Sequence, residues 1–337
     1  MSKRIAPLLL VVILLLCSCA AVGLSEDVSV KTGLAIVPGL TSSKAATAEA
    51  EGLAQVDATY AGVLVGADGK IVKCVIDVYQ AKVKFDATGK ITSDLTAPVQ
   101  SKNMLGDAYG MRKNSAIGKE WNEQAAAFAE YCVGKTAEEV AAIALDAEGR
   151  PTAEDVRAGA TIHVNDLVKA VVDACANAQD LGAKATDKLG IASEVDLAGR
   201  SKDATAEANG SGYAYAYYTA TTFGVDGKIT SSVLNASQFA VQFDATGKIV
   251  TDLAAVQQDK QQLKDAYNMK PKSGIGKEWY EQANFFAEIV KGKTAEEVSG
   301  IAVDESGHAT GEDVRAGATV SITDFQKVIA AAAATAK

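Results

Sequence analysis

The sequence predicts an α+β protein: two tandem homologous domains, each an antiparallel β meander followed by helices, behind a cleaved signal peptide. Three observations carry that expectation. First, the octet Glu-Asp-Val-Arg-Ala-Gly-Ala-Thr occurs at 154–161 and again at 312–319. The offset, 319 − 161 = 158, also relates Phe85-Asp86-Ala87-Thr88-Gly89-Lys90 to 243–248, Gly118-Lys119-Glu120-Trp121 to 276–279, and 134–140 to 292–298. A gapless register that long, running from about residue 43 onward, marks a duplicated domain and not a short solenoid repeat. Second, β-rich segments come first in each copy and segments of helical spacing come after. Third, the chain opens on a short basic stretch and an apolar run.

Ser2-Lys3-Arg4 is the basic start, and the apolar run covers 5–17. That run is shorter than the roughly 20 residues a bilayer-spanning helix needs and suits the core of a secretory signal. It closes on Leu16-Cys17-Ser18-Cys19-Ala20, which resembles a bacterial lipoprotein box, with Leu16 three residues before Cys19 and a small residue just before it. The resemblance implies a lipoprotein signal peptide over 1–18, cleavage before Cys19 and lipidation of Cys19. The alternative is ordinary secretion after a small-residue site near Ala20 and Ala21. A tether or leader is then expected over 19–42, repeat 1 over 43–178, a linker over 179–200 and repeat 2 over 201–337.

Within repeat 1, runs at 60–65 and 71–78 flank Ala67-Asp68-Gly69-Lys70, a strong hairpin-turn signal. A third strand near 81–85 leads to a second turn at Ala87-Thr88-Gly89-Lys90. Repeat 2 keeps both turns, at Asp226-Gly227 and Thr246-Gly247. Segment 102–111 suits a short helix. Trp121, Ala125, Phe128 and Cys132 then recur at helical spacing, as do Trp279, Ala283, Phe286 and Val290. Gly134 should stop that helix, and Thr136-Ala137-Glu138-Glu139 reads as a capping box opening the next. A final amphipathic helix is expected over 164–178, with its partner over 324–334.

Composition narrows the chemistry. Beyond the signal the cysteines are Cys74, Cys132 and Cys175, whose counterparts are Ser232, Val290 and Ala333. An odd count in one copy argues against a shared disulfide framework, so the domains must be held by their cores. Cys132 falls on the apolar face of its helix, as a buried structural thiol would. The net charge of −9 and the absence of a Lys/Arg cluster speak against nucleic acid as a partner.

Duplication also serves as a filter, because chemistry common to both halves must rest on residues present in both. His163 and His308 face Ser321 and Arg150, so neither is a shared base or metal ligand. Gly134-Lys135-Thr136 suggests a phosphate loop, but that pattern needs a glycine where Ala129 and Ala287 stand. Glu138 and Glu139 sit at a helix N-terminus, where the dipole accounts for them. Trp121 and Trp279 are expected as core anchors, with stacking on a planar ligand the lesser reading.

The octets remain. On spacing alone each reads as a tight turn into a helix, the glycine giving the turn and the threonine hydroxyl a cap. The segment Asp155-Val156-Arg157-Ala158-Gly159-Ala160-Thr161, with its copy 313–319, also resembles the flavinylation motif of the FMN-binding domain family, Asp-x-x-[Ser/Thr]-Gly-Ala-[Thr/Ser]. Ala158 and Ala316 stand where that family usually has Ser or Thr. With the lipobox and the Gly-Lys-Glu-Trp-x-Glu-Gln-Ala context, the whole is similar to tandem FMN-bearing surface lipoproteins of Gram-positive bacteria.

The resemblance implies FMN esterified through its phosphate to Thr161 and Thr319 by a dedicated flavin transferase, hence two covalent FMN per chain. Asp155 and Asp313 match the acidic position, Gly159 and Gly317 the glycine, and Ala160 and Ala318 the small residue before the acceptor. Such an acceptor is expected as an exposed hydroxyl among small neighbours, with Arg157 and Arg315 placed to meet phosphate or flavin oxygens. The implied role is a lipid-anchored electron carrier on the extracytoplasmic face of the membrane, relaying from a quinol-linked membrane donor to an external acceptor. Two other readings stand beside it. One is a non-redox surface-binding lipoprotein in which the loops are structural; the other is a flavin-dependent reductase, for which no duplicated acid or base stands out.

Overall fold

The computed structural model describes residues 28–337. The expected signal peptide, Cys19 and the first part of the expected tether lie outside the described residues. Each repeat holds one three-stranded antiparallel sheet: β1 Lys31–Gly39, β2 Gly52–Val65 and β3 Ile71–Phe85, then β4 Lys188–Asp196, β5 Gly210–Phe223 and β6 Ile229–Phe243. Both are meanders, in the orders β1-β2-β3 and β4-β5-β6. The helices of repeat 1 are α1 Lys102–Leu105, α2 Trp121–Cys132, α3 Ala137–Ala141, α4 Glu154–Arg157 and α5 Asn165–Ala176. Those of repeat 2 are α6 Lys260–Leu263, α7 Trp279–Ile289, α8 Ala295–Ser299, α9 Glu312–Arg315 and α10 Thr323–Thr335. Strands first and helices after holds in both copies.

The first strand of each sheet corrects the expected boundaries. β1 lies in the stretch read as tether, and β4 in the stretch read as linker. They are counterparts at an offset of 188 − 31 = 157, since Lys31 opposes Val65 while Lys188 opposes Phe223. One residue fewer separates them than the rest of the repeat, which hid them from a gapless comparison. Gly33 and Pro38 also punctuate β1 as a loop would. The glycine has a packing reason: a Cβ at Gly33 would sit 2.0 Å from the Ala174 carbonyl oxygen, and one at Gly190 2.1 Å from that of Ala332. The C-terminal helices α5 and α10 lie directly on these strands. The expected break near 79–81 does not occur either: Tyr79, Gln80 and Ala81 pair with Ala58, Asp57 and Val56 of β2, so β3 runs on through that stretch.

Alternation along the strands divides two environments. In β2, Ala54, Val56, Ala58 and Tyr60 point to one side, Ala61, Val63 and Val65 to the other. The second set packs beneath α2 and α5 with Trp121, Phe128 and Cys132; the equivalent set in repeat 2 packs beneath α7 and α10. The first set meets the other repeat. Its cluster draws Tyr60, Tyr79 and Phe85 from repeat 1 and Tyr218, Phe239 and Phe243 from repeat 2. The layers therefore run helices, sheet, sheet, helices, and the two repeats share a central core instead of each holding only its own.

That shared core is specific. Phe85 and Phe243 stack at 3.8 Å between centroids and 4° between planes. The Tyr79 and Tyr218 hydroxyls hydrogen-bond at 2.9 Å, and Thr32 reaches Ser231 at 2.6 Å. The second turn of each repeat clasps the other: Ala46 N donates to Gly247 O and Ala204 N to Gly89 O, both at 2.8 Å. Both glycines have positive φ and no room for a side chain. Removing one repeat would expose the central face of the remaining sheet.

The helix ends follow their sequence signals. Gly134 and Gly292 take φ of 81° and 75° after α2 and α7. Thr136 Oγ1 accepts from Glu139 N while Glu139 accepts from Thr136 N, closing the expected capping box, and Thr294 and Glu297 repeat it. Among the described residues no helix is long and apolar enough to cross a membrane.

Candidate functional site

The octets form the same structure twice. Glu154–Arg157 and Glu312–Arg315 are single helical turns, α4 and α9; the chain then passes through the glycine and the threonine before α5 and α10. Thr161 and Thr319 are half-buried. Neither hydroxyl caps the following helix, whose N-cap positions are Val164 and Ile322 without a side-chain cap.

Both threonines instead turn to a glutamine. Thr161 donates to Gln124 Oε1 from its backbone N at 2.8 Å and its hydroxyl at 3.2 Å; Thr319 donates to Gln282 Oε1 at 2.7 and 3.2 Å. Gln124 and Gln282 are fully buried. Gln124 Nε2 donates in turn to Ser115 Oγ at 3.0 Å and Lys119 O at 3.1 Å, and Gln282 repeats this with Ser273 and Lys277. The loop they reach is braced by Glu120 and Glu278, each 2 % exposed. Glu120 accepts from Met111 N and Arg112 N, Glu278 from Met269 N and Lys270 N, all at 2.8 Å. The octet and the Ser-x-Ile-Gly-Lys-Glu-Trp-x-Glu-Gln stretch thus form one polar unit per repeat. The glutamines escaped the sequence reading, although their recurrence at one offset in both copies was the signal.

The small residues serve packing. Gly159 and Gly317 do not take positive φ, so the expected turn role is not theirs. A Cβ on Gly159 would lie 2.8 Å from Ala127 Cβ, and one on Gly317 2.4 Å from the Phe285 ring. They let the loop lie flat against α2 and α7. Ala160 and Ala318 are fully buried and pin the loop into its own repeat's core. The threonine is therefore held on a fixed loop, not projected on a free one.

The remaining candidates stand apart from the hydroxyl. Asp155 is exposed and accepts from Val156 N at 2.9 Å; it also lies beside Tyr131, whose phenol burial and then that carboxylate push up. Asp313 is exposed, and its neighbour in place of Tyr131 is Ile289. Arg157 and Arg315 are exposed and make no ion pair among the described residues. His163 is exposed, with its ring Nδ1 against Glu148 O; His308 lies 3.4 Å from Asp304. Among the described residues no group of three or more His, Cys, Asp and Glu is arranged to hold a metal.

Trp121 and Trp279 are core anchors, 4 and 3 % exposed. Each has a lysine amine over its ring, Lys102 at 4.9 Å and Lys260 at 4.7 Å. Lys260 is 2 % exposed, also lies over Tyr215 and Tyr267 at 4.6 Å, and donates to Tyr215 Oη at 2.6 Å. Burial, then nearby Arg200, pushes its pKa down to about 7. Cys74 and Cys175 are unpromising as nucleophiles: the hydrogen bond with Cys132 and then burial hold Cys74 well above its usual range, and burial lifts Cys175 to about 11.

Two larger clefts open between the repeats. One, of about 730 Å³, runs between β3, α1 and α2 on one side and β4 with the end of α10 on the other. Its counterpart, of about 530 Å³, lies between β6, α6 and α7 and the Leu34, Asn177 and Gln179 region of repeat 1. Neither is lined by an octet residue. The helix α2 presents Asn122, Ala126 and Glu130 to the cleft and Gln124 and Ala127 to the octet, which are different faces at helical spacing.

No protein-family model matches the chain. A stretch of 55 residues is 47 % identical to a protein named chlorophenol reductase from Desulfitobacterium hafniense, and the match covers 15 % of this chain and 17 % of that protein. The chain thus spans well under two thirds of that relative. No solved structure matches.

Proposed function

We propose that this protein is an extracytoplasmic electron carrier holding FMN as a phosphoester on Thr161 and Thr319. The carrying observation is the duplicated Thr–Gln arrangement, which places one hydroxyl on a rigid loop at the same spot in each repeat. A side chain needed only for packing would not require its hydroxyl; here both copies keep it, oriented by a buried amide whose other hydrogen bonds are also duplicated. The residues fit the ester linkage, since each threonine is only half-buried and its neighbours in the chain are small. The four larger clefts are lined by other residues than the octets.

Attachment needs few steps from this chain. The threonine Oγ forms a bond to the flavin phosphorus, the group formerly esterified there departs with its electron pair, and the hydroxyl proton leaves. Gln124 and Gln282 orient the hydroxyl but, as amides, cannot take that proton. The base and the activated flavin phosphate must come from a transferase. The bound flavin supplies the electron chemistry; the repeats supply position and the covalent tie, which prevents loss by dilution outside the cell.

Cys19 would supply the lipid anchor, a quinol-linked membrane component the electrons, and an external acceptor would take them. The partial likeness to a protein named as a reductase supports a redox setting for part of the chain. Intact mass and in-gel flavin fluorescence after co-expression with a flavin transferase test the reading. An unmodified, dark protein beside a modified control substrate would favour a surface-binding lipoprotein, the reading the open surroundings of the octets suit.

A further inference from the structure

We infer that Tyr131 is the residue against which the flavin of repeat 1 stacks, and that it makes the two flavins of the chain unequal. The inference rests on the flavin reading of the octets proposed above.

The argument begins with how each octet lies on its helix. Thr161 bonds Gln124, Gly159 packs on Ala127, and Asp155 meets the Tyr131 phenol, so the octet runs antiparallel along α2. Gln124, Ala127 and Tyr131 share one helix face, at spacings of three and four residues. The same face of α7 carries Gln282, Phe285 and Ile289. That face holds an aromatic ring in each repeat, but the two rings stand a helical turn apart.

In repeat 2 the ring sits beside the acceptor. A Cβ on Gly317 would fall 2.4 Å from Cγ and Cδ1 of Phe285 and 2.5 Å from Cδ2, so the ring lies flat on the glycine two residues before Thr319. Phe285 follows Gln282 by three residues, about 5 Å along the axis. In repeat 1 the ring stands farther out, since Tyr131 follows Gln124 by seven residues, about 10 Å. That separation matches the reach of a phosphate and ribityl chain, which is what divides a flavin ring from an ester oxygen on Thr161. Phe285 is too near Thr319 to meet the flavin ring and meets the ribityl chain; the ring of that flavin reaches Ile289.

Tyr131 is also open to a ligand. It is half-buried, and the Lys135 amine lies over its ring, 3.8 Å from the centroid. An ammonium on a flexible stem holds the place where a flat ring would lie, and it can swing aside as backbone could not. Lys135 makes no ion pair among the described residues, which leaves its charge for a flavin oxygen. The phenol is held from its other end by the Asp155 carboxylate. Stacked aromatic pairs have a defined offset geometry, which aliphatic Ile289 cannot reproduce.

Emission reads such a contact. The phenol of a stacked tyrosine lends an electron to the photoexcited flavin and takes it back, so light is lost without net reaction; isoleucine and phenylalanine do not do this. The test uses the mature chain co-expressed with a flavin transferase, with FMN loading checked by intact mass. Thr319→Ala leaves the repeat 1 flavin alone, and Thr161→Ala the repeat 2 flavin. In the folded protein the fluorescence lifetime of the first should be several-fold shorter than that of the second, and the two should become equal in denaturant. Tyr131→Phe keeps the ring and its packing but not the oxidisable phenol, so it should lengthen the first lifetime several-fold, with unchanged melting as the check on the fold. Ile289→Tyr should shorten the second. Equal lifetimes in the two singly loaded chains, or a repeat 1 lifetime indifferent to Tyr131→Phe, would overturn the inference and leave the carrier reading intact. A chain without an added FMN mass would overturn the carrier reading, and this inference with it.

Discussion

Replacing Gln124 with leucine tests whether the buried glutamine is what fixes the candidate threonine. The amide makes four hydrogen bonds, accepting from Thr161 N and Oγ1 and donating to Ser115 Oγ and Lys119 O. Leucine has nearly the same volume and makes none of them. The two hydroxyls can rotate to other partners, but the Thr161 N–H and the Lys119 carbonyl cannot. Two stranded backbone groups cost about 1–3 kcal/mol each, and the gain from burying leucine offsets part of it. A net loss of about 3 kcal/mol follows, which for a chain of this size lowers Tm by roughly 4 °C. Urea unfolding followed by far-UV circular dichroism measures it. Because Gln282 repeats the geometry, Gln282→Leu should lose a similar amount. A loss below about 0.5 kcal/mol in both variants, the level of an ordinary surface substitution, would refute the reasoning.

Two further outcomes follow from packing and charge. Gly33→Ala drives a methyl to 2.0 Å from the Ala174 backbone oxygen, which cannot swing away as a side chain would, so β1 and α5 must separate. A loss of about 3 kcal/mol is expected in urea titration, with a similar loss for Gly190→Ala. Lys260 has a folded pKa near 7 against a usual 10.5. Between those values the unfolded chain binds more protons, so this group makes stability rise with pH across that window, by at most about 4–5 kcal/mol. Lys260→Met should remove that rise. The difference between wild type and variant in unfolding free energy at pH 7 and pH 10.5 reads it, and no difference between the two pH values would contradict a buried, reluctantly charged amine.

Local chemistry made much of the fold legible. The Asp-Gly and Thr-Gly turns, the two capping boxes, the helix-stopping glycines and the tryptophan anchors act through neighbours within a few residues, so sequence shows them. β1 and β4 were hidden because their offset differs by one residue and because Gly33 and Pro38 look like loop punctuation. The glycine's reason, a helix carbonyl lying on the strand, is a long-range contact that no local pattern records. The shared core was hidden for a related reason. Doubly buried strands read as continuous apolar runs whether the second cover is a helix or another sheet.

The octets were found by repetition, and the fold gives both threonines the same glutamine partner. Their surroundings were misread in part. Gly159 and Gly317 permit close packing against α2 and α7, and Ala160 and Ala318 fill the core, where an exposed loop of small residues had been expected. Gln124 and Gln282 lie 37 residues before their threonines, and only folding brings them together.

The intact mass of the mature protein after co-expression with an active flavin transferase bears most directly on the two-flavin carrier. Two added FMN masses are expected, one lost in Thr161→Ala and the other in Thr319→Ala, with fluorescence falling in step. An unmodified mass, or an added mass that survives both substitutions together, would contradict flavin attachment at these threonines.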